Sequence, residues 1–181
     1  MIRLRALPLA ATLLVPMLAP AAGAAPPNDV TVFARYAGTW RTELTHLQTP
    51  YSKPSNEKMT VKNDCWHSEV FYVCDQIIDD VPKALIVFFY NAEDKTFGSF
   101  PITARSDTLH PGEVLVDGKT ITFPWAINDN GKAVYMRIVN TFTTPDTIDF
   151  RQEYSEDNHK WIPMATGTER RLAAKRSAKP K

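Results

Sequence analysis

The feature that most constrains this chain is the regularity of its turn signals after Trp40. Pro50, Pro54 and Asn56 mark one loop, Asp79-Asp80-Val81-Pro82 a second, and Asn91-Ala92-Glu93-Asp94 a third. His110-Pro111-Gly112, a tight Asp117-Gly118 hairpin, a longer Asn128-Asp129-Asn130-Gly131 connection, Pro145-Asp146 and Glu156-Asp157-Asn158 follow. Such residues turn the chain cheaply, by tolerating positive φ, by fixing φ, or by hydrogen-bonding their own backbone. Between them lie about ten runs of roughly 6–12 residues rich in β-branched and aromatic side chains, and no later segment carries a long helical period. The pattern predicts an all-β fold, an up-and-down antiparallel closed β-barrel, because closure removes the exposed edges an open sheet must protect. A two-sheet sandwich is the alternative. A short helix is expected ahead of the first strand, over Asn28 to Tyr36.

Alternation assigns an inside. Ile148, Phe150, Gln152 and Tyr154 share one face of a run whose other face is Thr147, Asp149, Arg151, Glu153 and Ser155; the apolar face should point inward. By the same parity Trp40, Thr42, Leu44 and His46 share a face, as do Ile121, Phe123, Trp125 and Ile127. The run Ala84-Leu85-Ile86-Val87-Phe88-Phe89-Tyr90 is apolar on both faces. Its outer face therefore calls for cover, and a homodimer through 84–90 is one expectation.

The first strand opens with Gly38-Thr39-Trp40 and the ordered chain closes with Thr168-Glu169-Arg170-Arg171-Leu172. Glycine lets the backbone turn in and a large ring fills the taper of a small barrel. An arginine on the closing strand, Arg170 or Arg171, is placed to lay its guanidinium over Trp40. The arrangement resembles the lipocalins and their relatives, the fatty-acid-binding proteins and nitrobindins. The stretch Cys65-Trp66-His67-Ser68-Glu69-Val70-Phe71-Tyr72-Val73-Cys74-Asp75-Gln76 also resembles a motif of exported bacterial lipocalin-like proteins. The resemblance implies a container. Nitrobindins hold haem through a late-strand histidine, but here the late strand, 161–170, has no histidine beyond His159 in the preceding turn. The departure argues against haem, and no cofactor is expected.

Met1 to Ala25 reads as a signal peptide. Arg3 and Arg5 give a positive start, Leu7 to Leu18 an apolar stretch broken by Pro8 and Pro16, and Ala22-Gly23-Ala24 a small-x-small cleavage pattern. The stretch is shorter than the ~20 residues that span a bilayer. Export to the periplasm or outside the cell follows, with cleavage near Ala24. Residues 26–173 are then one barrel domain, and 174–181 a basic, disordered tail capable of weak contact with anionic surfaces. Loss of Arg3 and Arg5 turns the net charge of +1 into −1, which gives no reason to invoke nucleic acid.

In an exported chain with two cysteines, Cys65 and Cys74 are expected to form a disulfide across a hairpin turning near Ser68-Glu69. His46, His67, His110 and His159 are scattered without metal-binding spacing, and no catalytic set or metal site is assigned. Three functions remain open. The first is a lumen binding a small, mostly hydrophobic ligand, with Leu44, His46, Trp125, Phe150, Gln152 and Tyr154 lining it. The second is an isomerase or lyase using His46 or Tyr154 as acid or base, and the third a cell-envelope interaction protein with a packed lumen.

Overall fold

A computed structural model describes residues 29–104 and 111–173. The signal-peptide assignment over 1–25, the tail over 174–181 and His110 lie outside the described residues. A 3-10 helix (Val30–Tyr36) leads into ten strands: β1 (Gly38–His46), β2 (Ser55–Ser68), β3 (Phe71–Ile78), β4 (Val81–Asn91), β5 (Thr96–Thr103), β6 (Gly112–Asp117), β7 (Thr120–Asp129), β8 (Lys132–Thr144), β9 (Thr147–Ser155) and β10 (Ile162–Arg171). Each pairs antiparallel with its sequence neighbours, and β10 returns to β1, closing the barrel.

The helix is 3-10 because its buried residues, Val30, Phe33 and Tyr36, recur every third position, and three residues per turn align them on one face. Asp29 caps it, accepting from the Thr31 amide at 2.8 Å. That face plugs one end of the barrel. Phe33 stacks on Phe88 with ring centroids 4.1 Å apart and meets Phe97 edge-on at 5.4 Å. Trp40 is fully buried beneath it and donates its indole N–H to the Tyr36 carbonyl at 2.9 Å.

Arg171, the partner of Trp40 in the β1–β10 register, lies over the indole at 4.0 Å. Its guanidinium also donates to the carbonyls of Ala37, Arg35 and Pro145 and to Asp146 Oδ1, tying the helix end to the closing strand. Arg170 pairs with Arg41 and points out, so one arginine of the two takes the role foreseen for them. Gly38 sits at φ +113°, and a Cβ there would fall 2.8 Å from Arg171 Nη1; both facts exclude a side chain. The Asn128–Gly131 connection is tighter than its composition implied. Asn130 and Gly131, at φ 54° and 88°, make a two-residue hairpin, the geometry that matches strand twist.

Cys65 and Cys74 are directly opposed on β2 and β3, 4.1 Å apart at Cα, and disulfide-bonded. A disulfide fits an oxidising compartment.

Candidate functional site

Residues paired directly across an antiparallel ladder share a face, so the register separates lumen from exterior. Starting from Trp40, the inward set on β1 is Trp40, Thr42, Leu44 and His46, and on β10 it is Arg171, Glu169, Gly167 and Ala165. On β9 it is Ile148, Phe150 and Gln152, followed by Tyr154. At the helix end the lumen is solid: Phe33, Trp40, Phe88, Phe97, Ile121, Phe142 and Ile148 are buried against one another. Toward the other end inward side chains keep contact with water. Leu44, Met59, Ile86, Phe123, Ile138, Phe150 and Gln152 are half-buried, while Trp125 and Ile127 are 42% and 38% exposed. The lumen is thus a cup, floored by the helix plug and open at the opposite mouth.

Leu44, Gly167 and Phe150 form one level of the wall. Gly167 is glycine because a Cβ there would collide with the Phe150 ring and stand 2.5 Å from the Glu43 carbonyl oxygen. One level nearer the mouth come His46, Ala165 and Gln152. His46 Nε2 lies 3.4 Å from Glu57 Oε1, and among the described residues no hydrogen bond joins it to Gln152 or Tyr154. Tyr154 is buried instead in a second small core with Val134, Met136 and Met164. Tyr51 covers it edge-on at 4.9 Å and donates to Asp129 Oδ2 at 3.3 Å. The loop carrying Tyr51 is tethered to β10 by the Leu47 N–H to the Met164 carbonyl at 2.7 Å and is closed on itself by a Thr49–Ser52 bridge. It therefore covers the mouth on the β8–β10 side, and Tyr154 supports that cover.

The floor holds polar groups the sequence reading did not single out. Glu169 faces inward between Thr42 on β1 and Ile148 on β9, which are 3% and 1% exposed. Among the described residues the Glu169 carboxylate has neither hydrogen bond nor ion pair, and burial pushes its pKa up to about 7. The Thr42 hydroxyl beside it is buried and also lacks a partner. Across the floor Asn140 donates to the Tyr36 hydroxyl at 2.8 Å. Burial drives the Tyr36 phenol well above its usual range, and the Glu169 charge adds to that. Parity carried a signal for this floor: once an arginine over Trp40 is assigned to position 171, position 169 must face inward too.

A trough of about 760 Å³ lies outside the wall, over the outward residues of β1, β9 and β10, including Arg41, Glu43, Asp149, Arg151 and Arg170. Leu44, Gly167 and Phe150 also line it, and its remaining β1, β9 and β10 residues have the outward parity, opposite to the cup. The exterior of β2 to β5 is of opposite character. Trp66, Val73, Val87 and Phe100 make one cross-strand row, flanked by Phe71 and Phe89 on one side and Leu85 and Ile102 on the other. Trp66 and Phe71 are 49% and 42% exposed. Among the described residues no three His, Cys, Asp or Glu side chains gather to hold a metal ion.

No family model matches the chain. No curated protein matches it. Among solved structures, the crystal structure of Rv2717c from M. tuberculosis is similar at a TM-score of 0.46 and 12% identity, over 82% of this chain and 99% of that one. The closed barrel is established by this chain's own unbroken ring of strand pairings.

Proposed function

We propose that the protein is an exported, lipocalin-like binding barrel that takes up a small, mostly apolar ligand in the open half of its lumen, in the periplasm or outside the cell. The observation that supports this is the solvent access of inward-pointing apolar side chains, Leu44, Phe123, Ile138 and Phe150, which a packed core would have buried. Trp125 and Ile127 at the mouth offer an apolar rim for entry. His46 and Gln152, on one level of the wall, offer polar contacts that orient a bound group. The disulfide is in keeping with export.

The test is native mass spectrometry of the mature protein recovered from a periplasmic extract. A reproducible added mass that denaturation removes is the expected result, and it identifies the ligand class. A bare chain that also fails to enhance the fluorescence of an apolar dye overturns the reading. A second role is favoured by the apolar exterior of β2 to β5, where Trp66, Phe71 and Ile102 are exposed beside half-buried apolar neighbours: a homodimer formed face to face there. Sedimentation at rising concentration decides it, and a monomer throughout removes it.

A further inference from the structure

We infer that the cup is built for an amphiphilic amine, an ammonium head on an apolar body, with the head seated on the floor against Glu169 and Thr42. This rests on the binding-barrel reading and names the ligand chemistry within it. The floor presents acceptors in excess of donors. Glu169 brings a carboxylate with no partner among the described residues, and Thr42, 97% buried, a hydroxyl with none either. Asn140 donates one amide N–H to Tyr36, and among the described residues its carbonyl oxygen accepts no hydrogen bond. An ammonium group supplies three donors and the positive charge this set lacks.

The charged groups around Glu169 do not serve as its counter-ion. Arg171 shares its strand and face, but its guanidinium is held over Trp40 and engaged with Asp146 and three backbone carbonyls. Arg35, on the helix, stacks on Phe142 at 5.0 Å and donates to the Gly118 carbonyl at 3.1 Å. Tyr36 titrates far above neutrality. Thr42 and Met59 face Glu169 from β1 and β2, Ile148 from β9, and Phe142 and Asn140 from β8, none of which ionises. A carboxylate left uncompensated in an apolar cup costs stability unless a ligand supplies the cation. The half-buried walls above it, Leu44, Phe150 and Ile138, suit an alkyl or aromatic body.

The experiment is calorimetric titration of the mature protein with three nine-carbon probes, nonylamine, nonan-1-ol and nonanoate. At about pH 8, where Glu169 is ionised and the amine protonated, the amine should bind about tenfold to a hundredfold tighter than the alcohol, with nonanoate weakest. At about pH 5.5, where Glu169 holds its proton, the preference should shrink to about threefold or less. Glu169→Gln should abolish the preference at both pH values while leaving alcohol binding in place, and Thr42→Val should reduce it. Equal affinities, a preference for nonanoate, or an amine preference that survives in Glu169→Gln overturns the inference and leaves the binding barrel standing. If none of the three binds, the inference is overturned, while the binding barrel itself is decided by the mass-spectrometry and dye test above.

Discussion

Replacing Glu169 with glutamine should make the ligand-free protein more stable at alkaline pH and leave it unchanged in acid. The side chain enters the folded barrel with its pKa raised from 4.5 to about 7, because burial penalises the charged form. A carboxyl raised on folding holds its proton more tightly folded than unfolded. Its contribution is therefore intact below the unfolded value of 4.5 and is lost as pH rises toward 7. The full shift corresponds to about 3 kcal/mol, and access of lumen water to the carboxylate brings the expected loss to about 1–3 kcal/mol. Glutamine fills the same space and has no charge to desolvate. Urea unfolding of both proteins, disulfide intact, between about pH 4 and pH 8 should show coincident stabilities at the acid end and an increasing advantage for the variant thereafter. In melting temperature the gap is a few degrees at about pH 8, taking roughly 2–4 °C per kcal/mol for a domain of this size. A difference that does not vary with pH refutes the assignment of Glu169 to a largely buried, unpaired position. A wild type that gains on the variant with rising pH would mean that the ionised carboxylate finds a cation.

The clasp between chain ends predicts that Arg171→Lys costs about 2–3 kcal/mol, since a single ammonium reproduces neither the stack on Trp40 nor the forked donation to Ala37 and Arg35; a loss under about 0.5 kcal/mol in urea unfolding contradicts it. Reduction of Cys65–Cys74, which encloses a sequence separation of 9, should lower stability by about 2–3 kcal/mol on chain entropy alone, and an unmoved urea midpoint after reduction rules that out. Gly167→Ala should cost about 1–3 kcal/mol, because its Cβ meets both the Phe150 ring and the Glu43 backbone. Adding Phe150→Ala should then cost less than it does in the wild type; strictly additive losses would show that the ring and the new methyl never met.

The barrel was legible because turn chemistry and period-two patterning are local properties, and the two coincide along most of the chain. Gly38, Trp40 and an arginine near 171 marked where the first and last strands meet. Which of Arg170 and Arg171 faces in depends on the register between strands far apart in sequence, and that is not a local signal. The cup was harder to see. Leu44, Phe150 and Gln152 were placed inward by parity, and they do face the lumen. Tyr154 has the same parity but lies beneath Tyr51, because the loop after β1 folds back over it. Thr42 falls on the inward face by parity, but neither it nor Glu169 reads as a site residue, because a glutamate or threonine in a strand is ordinarily a surface residue. What sets Glu169 apart is that its neighbours on both sides, Thr42 and Ile148, are buried.

The floor of the cup is assembled from the two ends of the chain. Thr42 belongs to the first strand and Glu169 to the last, and the bond from Arg171 to Ala37 spans 134 residues. A chain emerging N-terminus first has no floor until β10 arrives, and until then β1 and the most recently made strand keep bare edges. The last seam to zip is then the one a ligand would bridge, touching one side chain from each strand. Its binding energy adds directly to the closure of the barrel. Cargo in this position is also a rivet, and a chain that has lost its last strand loses its pocket and its means of staying shut together.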